Sequence, residues 1–266
     1  MKRIPVQVAI VGALILSGSA FAQTAAPAAP AAAEAASPLS FNISLTSNYK
    51  FRGQDQYTAS TSMIKPALQG GVDYAHASGF YVGNWNSTVR FLDPAGKKAH
   101  LEVDLYGGYK FSAGDVGFDL GAITYLYPGA TKANTAELYA GAGYGPFSAK
   151  YFHTVSKGYF GTGYTTSDGR GTGYLNLAYA QEVMPKLTLK ASVGKTMFKS
   201  AVNNAGTPDF SDYSIGATYD LGDGLALTGA IQGASKKNNA AFNYTVGDKT
   251  RSLNKNALLV TLTKTL

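Results

Sequence analysis

The 266-residue sequence predicts an all-β fold, a transmembrane antiparallel up-and-down β-barrel of about 12 strands with both termini periplasmic. Three observations predict it. Apolar and polar residues alternate in segments long enough to cross a bilayer at a tilt, and a period of two is a strand with one greasy and one wet face. The connections alternate between longer polar loops and turns of about two to four residues, the asymmetry that the two sides of an outer membrane impose. The composition has 31 Gly and 18 Tyr with 15% charged residues, and no apolar run is long enough for a spanning helix. A secreted β-sandwich would show the same alternation. Strand length, the regular connection pattern and aromatic residues near strand ends favour the barrel, whose closure also leaves no unpaired edge facing lipid.

The first elements are not part of the barrel. Lys2 and Arg3, the apolar run Val6 to Leu16 and Ala20-Phe21-Ala22 predict a cleaved signal peptide over 1–22. Residues 23–38 are almost all Ala and Pro and predict a disordered leader, leaving 39–266 for the barrel. The chain has no cysteine, so an exported protein must hold together without disulfides. Its formal charge of +7 falls to +5 without Lys2 and Arg3 (21 basic against 16 acidic residues), too mild and dispersed for nucleic acid.

Leu39 to Arg52 sets the pattern, with Leu39, Phe41, Ile43, Leu45, Tyr49 and Phe51 expected on the lipid face. Ile64 to Ala75 and Phe80 to Phe91 form a hairpin through His76-Ala77-Ser78-Gly79, and in the second of them Tyr81, Trp85, Val89 and Phe91 are set against a wet face of Asn84, Asn86, Thr88 and Arg90. His100 to Phe111 follows, with Glu102, Asp104, Tyr106 and Lys110 on its wet face. Val116 to Tyr127, Glu137 to Gly145, Phe147 to Ser156, Thr172 to Val183, Leu187 to Phe198, Asp212 to Leu221, Leu225 to Ala234 and Leu253 to Leu266 complete the series.

Ser47-Asn48-Tyr49-Lys50-Phe51-Arg52-Gly53, Pro66 to Tyr74, Ser78 to Trp85, Glu102 to Tyr109, Tyr127-Pro128-Gly129 and Glu137-Leu138-Tyr139 together resemble the TorF-like porin family of proteobacterial outer membranes. The resemblance spans most of the mature chain and implies an outer-membrane barrel acting as a porin, with outer-membrane lipids and the barrel-assembly machinery as partners. Barrels of this kind usually end in an aromatic residue that the assembly machinery reads, whereas this chain ends in Leu266.

The expected function is passive diffusion of small hydrophilic solutes. Strand parity places Lys50, Arg52, Lys65 and Arg90 in the lumen near the external ends, beside Glu102, Asp104 and Glu137, with Asp212 further round. These residues are the candidate pore lining, a charged constriction with a mild anion preference reinforced by loop lysines. Arg52 and Lys65 flank one loop and need a negative partner, and Arg90 and Glu102 are placed for an ion pair. The alternatives are an occluded structural or binding barrel and an outer-membrane lipase. The lipase would need a histidine beside a nucleophile or acid, for which only His100 near Glu102 is available besides His76 and His153. No cofactor and no metal is expected, and Gly161-Thr162-Gly163 lacks the strand-to-helix context of a nucleotide site.

Overall fold

The structure is a computed structural model that describes residues 37–92, 99–161, 168–204 and 206–266. The expected signal peptide, nearly all of the leader, the loop lysines Lys97 and Lys98, and Thr162 and Gly163 lie outside the described residues.

In chain order the strands are β1 (Leu39–Thr46), β2 (Lys50–Phe51), β3 (Gln54–Asp55), β4 (Ala67–Ala75), β5 (Phe80–Thr88), β6 (Leu101–Ala113), β7 (Val116–Leu126) and β8 (Thr135–Tyr144). They continue with β9 (Phe147–Thr154), β10 (Gly173–Met184), β11 (Leu187–Met197), β12 (Phe210–Gly222), β13 (Leu225–Ala234), β14 (Asn243–Val246), β15 (Lys249–Ser252) and β16 (Ala257–Thr265). A short helix, α1 (Ser200–Asn204), sits in the loop after β11. Twelve of the strands close an antiparallel barrel in which each pairs with its neighbours in sequence, and β16 seals the ring against β1 with Leu45 opposite Leu262. The two small hairpins, β2–β3 and β14–β15, stand apart from the wall.

Each of the twelve expected segments overlaps one wall strand. The alternation that builds them also makes the barrel apolar outside and polar inside. Leu39, Phe41, Ile43 and Leu45 are 45–58% exposed on the outer face of β1, whereas Ser44 and Thr46 are buried. Large exposed hydrophobics recur on the outer face of every wall strand, which only a lipid environment makes favourable.

The structure corrects the expected path of the chain in three places. β1 ends at Thr46 rather than Arg52, and Tyr49 and Phe51 are 1% and 5% exposed inside the barrel instead of facing lipid. The face assignment of β5 is reversed: Tyr81, Trp85 and Ser87 are buried within, while Phe80 and Val82, at 62% and 57% exposure, share the outer face with Asn84 and Asn86. The loop before β16 is partly ordered as β14–β15, so the final strand begins at Ala257 rather than Leu253. The first two corrections have one cause. A segment of chain enters the lumen and supplies apolar partners there, so aromatic side chains gain more by pointing inward than outward.

Candidate functional site

The segment between β1 and β4, residues 47–66, folds into the barrel through residues 48–58, whereas Ser62, Met63, Ile64 and Pro66 are exposed. Its centre is the β2–β3 hairpin, with Lys50 opposite Asp55 and Phe51 opposite Gln54. The two turn residues, Arg52 at φ 47° and Gly53 at φ 74°, are both left-handed, as a two-residue type I′ turn requires. Gly53 is required for space as well. A Cβ there would lie 2.6 Å from the Gly233 carbonyl and 2.7 Å from Cβ of Asp212, so the tip touches the wall formed by β12 and β13.

Arg52 occupies a strained position for a residue with a side chain, and a buried charge network holds it there. Its Nη1 and Nη2 donate to Glu137 Oε1 and Oε2 on β8 at 3.1 and 2.6 Å, a bidentate pair. Nη1 also donates to the Tyr159 hydroxyl at 3.1 Å. Glu137 accepts further bonds from Tyr125 and Thr154. The guanidinium lies over aromatic faces, 4.2 Å from the ring centre of Tyr174 and 4.8 Å from that of Phe51. One side chain thus ties the hairpin to β8, β10 and the loop after β9.

Other residues hold the flanks. Lys65 Nζ donates to Asp55 Oδ2 at 2.6 Å, and Lys50 Nζ lies 2.9 Å from Oδ1, an ion-pair contact without hydrogen-bond alignment. Asp55 therefore bridges two buried lysines. Burial pushes the Lys50 ammonium below its ordinary value, and Asp55 beside it pulls the other way. Lys50 also donates to the carbonyls of Gly53 and Leu253. On the other flank the Tyr49 hydroxyl donates to Glu102 Oε2 at 2.9 Å, and Tyr127 donates to Oε1 at 2.6 Å. Tyr49 also packs edge-on against Trp85 at 5.8 Å.

All eight residues predicted from the sequence as pore lining fall in or against this interior, in different ways. Lys50, Arg52 and Lys65 are buried in ion pairs on or beside the inward segment, so they do not stand on the wall. Arg90 lies beyond the end of β5, half-buried, where its amide donates to the Gln56 carbonyl at 2.8 Å and its guanidinium lies 5.7 Å from the Tyr57 ring. The expected Arg90–Glu102 pairing is not the register adopted, since Glu102 stands opposite Ser87 and its oxygens are taken by the two tyrosines. Glu102, Asp104 and Glu137 are 0–1% exposed, and both oxygens of Asp104 lack a hydrogen-bond donor among the described residues. Asp212, beside the hairpin tip, accepts from Tyr174 at 3.1 Å.

Sequence reasoning missed Asp55, Tyr49, Tyr125, Tyr159 and Tyr174 as members of the site. The signal for the turn was present in Arg52-Gly53, flanked by residues that can pair, and in a first strand longer than its neighbours. His100 is exposed, and His76 and His153 bond locally to Ser78 and Tyr151.

Below the segment the lumen divides into two unlike walls. On one side Tyr106 donates to Asp73 at 2.5 Å, Tyr81 donates to Asp119 at 2.6 Å, and Lys150 pairs with Asp119 at 2.5 Å. The other is lined by hydroxyls, with Ser44 bonded to Thr263 and Thr218 to Thr228, each at 2.9 Å, and with Lys190 and Ser192 on β11.

A model of a bacterial protein family of unknown function, Gcw_chp, matches residues 31–266. No curated protein matches the sequence. Among solved structures, the NanC porin is similar at a TM-score of 0.56 and 9% identity, covering 86% of this chain and 100% of that one. The KdgM porin has a TM-score of 0.49 at 7% identity, covering 85% of this chain and 97% of its own. OprD from Pseudomonas aeruginosa has a TM-score of 0.37 at 16% identity, covering 86% and 66%. The likeness to NanC shows the fold, a barrel of the outer-membrane porin type.

Proposed function

The chain belongs to the Gcw_chp family, and from the architecture of its barrel we propose that it is an outer-membrane porin-like channel for small hydrophilic solutes, narrowed from within by residues 47–66. The observation that carries this reading is an apolar outer wall enclosing a polar lumen whose obstruction is held by ion pairs, hydrogen bonds and aromatic packing, all of them non-covalent. Such a segment restricts passage without a covalent lock. The resemblance to TorF-like porins points the same way.

A mild anion preference would arise at the mouth. The expected basic arc of Lys50, Arg52 and Lys65 is neutralised by Asp55 and Glu137, so it contributes little net field. Exposed Lys157, Lys236, Lys237 and Lys249 on the longer loops remain to draw anions toward the entrance. A second reading, an occluded structural barrel, is favoured by the burial of Tyr49 and Phe51 in one cluster with Trp85, Tyr106, Tyr125, Tyr139, Phe152 and Tyr174 from β5 to β10.

Single-channel recording of the refolded protein separates the two. Stepwise ohmic openings of small amplitude, with a reversal potential shifted modestly toward the anion side in a salt gradient, are expected for the channel. Silence from protein that shows the gel shift of a folded barrel would contradict it and support occlusion.

A further inference from the structure

Along the twelve wall strands, parity turns two acidic or basic side chains outward among the described residues, Lys195 near the loop end of β11 and Lys264 near the turn end of β16. Lys195 stands between Leu175 and Ser211 on the neighbouring strands, and Lys264 opposite Ile43. Lys264 donates to the Asp223 carbonyl, whereas Lys195 has no hydrogen bond or ion pair among the described residues. A bare ammonium on a lipid-facing surface is costly unless a counter-charge comes to it.

Lys195 borders a cavity of about 530 Å³ where β10, β11 and β12 meet the start of the loop after β13. Leu175, Leu177 and Val193 form its apolar side, and a second lysine, Lys237, lines it from the loop. Lys237 is exposed and likewise has no acidic partner among the described residues. Ser211 and Ser235 complete the loop end of the cavity, tied together by Ser235 N to the Ser211 carbonyl at 2.7 Å and by Ser211 N to Ser235 Oγ at 2.9 Å. The Ser235 hydroxyl therefore accepts from the backbone and keeps its own hydrogen to donate. Asp212 is the single acid in the lining, and its carboxylate is turned inward to accept from Tyr174.

The order of residues down the wall is that of a lipid. Lys195 and Ser211 share one row, Leu177, Val193 and Tyr213 the next toward the turns, and Ala191 with the 63% exposed Ile215 the one after. We propose that this groove binds a phosphate-bearing lipid of the loop-side leaflet, its phosphate between Lys195 and Lys237 and one acyl chain along Val193 and Ile215. Two ammonium groups and a serine hydroxyl are donors without a facing carboxylate, so the headgroup they complement is anionic. A free phosphate would satisfy the donors and leave the apolar strip beneath them uncovered, whereas the lipid covers both. The proposal needs a membrane-spanning barrel and is independent of whether the lumen conducts.

Native mass spectrometry of the refolded protein, released from phosphatidylcholine nanodiscs that contain phosphatidic acid, tests it. The wild type is expected to retain one phosphatidic acid in preference to phosphatidylcholine. Lys195→Gln and Lys237→Gln are each expected to lower the lipid-bound fraction about fivefold relative to the free protein, with the folded-barrel gel shift intact. Lys132→Gln with Lys255→Gln removes two exposed lysines outside the groove and is expected to leave that fraction unchanged. A wild type that retains no phosphatidic acid, an equal loss in the control pair, or retention of added inorganic phosphate in place of the lipid would overturn the proposal.

Discussion

Arg52 is the residue on which the inward segment depends. Arg52 is 6% exposed and its partner Glu137 1%, so removing either leaves a buried charge unpaired, at a cost of about 3–5 kcal/mol. Arg52→Ala is therefore expected to release the hairpin from β8, raising the unitary conductance and its noise. Arg52→Lys is expected to fall between, because lysine keeps the charge but cannot form the bidentate pair or stack as a plane on Tyr174. Conductance of Arg52→Ala equal to that of the wild type would contradict this role. Trp85 gives an optical test of the same interior, since it is the single tryptophan and packs on Tyr49 at 7% exposure. Lipids brominated along their chains are expected to leave its fluorescence nearly unquenched. Strong quenching would restore the outward placement that simple alternation implied.

At the scale of elements, the β2–β3 hairpin is the part of the fold that departs from a plain barrel. Gly53→Ala adds a Cβ at a left-handed φ, a cost of about 1 kcal/mol, and places it against Asp212 and the Gly233 carbonyl. The tip is expected to withdraw, so that trypsin cleaves after Lys50 or Arg52 in this variant and not in the wild type, while the wall strands stay protected. Protection of both proteins alike would show that the wall tolerates the added methyl. The wall was legible in the sequence because each strand carries its own period of two, a local signal that needs no knowledge of partners. The hairpin was not, because Tyr49 and Phe51 continue the apolar register of β1 in sequence while leaving its strand in space. The same blindness reversed β5: alternation shows that Trp85 and Asn84 lie on opposite faces, and only the arrival of Tyr49 in the lumen decides which face is inside. For the candidate site, Glu102, Asp104, Glu137 and Asp212 were legible as inward-facing by parity, whereas Lys50, Arg52, Lys65 and Arg90 lie outside the wall strands, and the pairing of none was legible. Arg52 meets Glu137 across 85 positions of sequence, and Lys65 meets an Asp55 that was read as loop.

For the whole molecule, two layers of structure divide the work. The closed wall of twelve strands answers to the membrane, satisfying every ladder internally and turning its aliphatic face outward. The inward segment answers to the solute path, filling the loop-side part of the lumen with tyrosine hydroxyls and paired charges drawn from β6, β8 and β10. No wall strand includes residues 47–66, so the wall should close without most of that segment. Replacing residues 48–64 by a short Gly-Ser link, which retains Lys65 and Pro66, therefore tests the central claim most directly. Recorded in the same bilayer and salt, this variant is expected to show a unitary conductance severalfold above that of the wild type, with the folded-barrel gel shift intact. An unchanged conductance from a folded variant would mean that the segment does not limit the path, and would contradict the account.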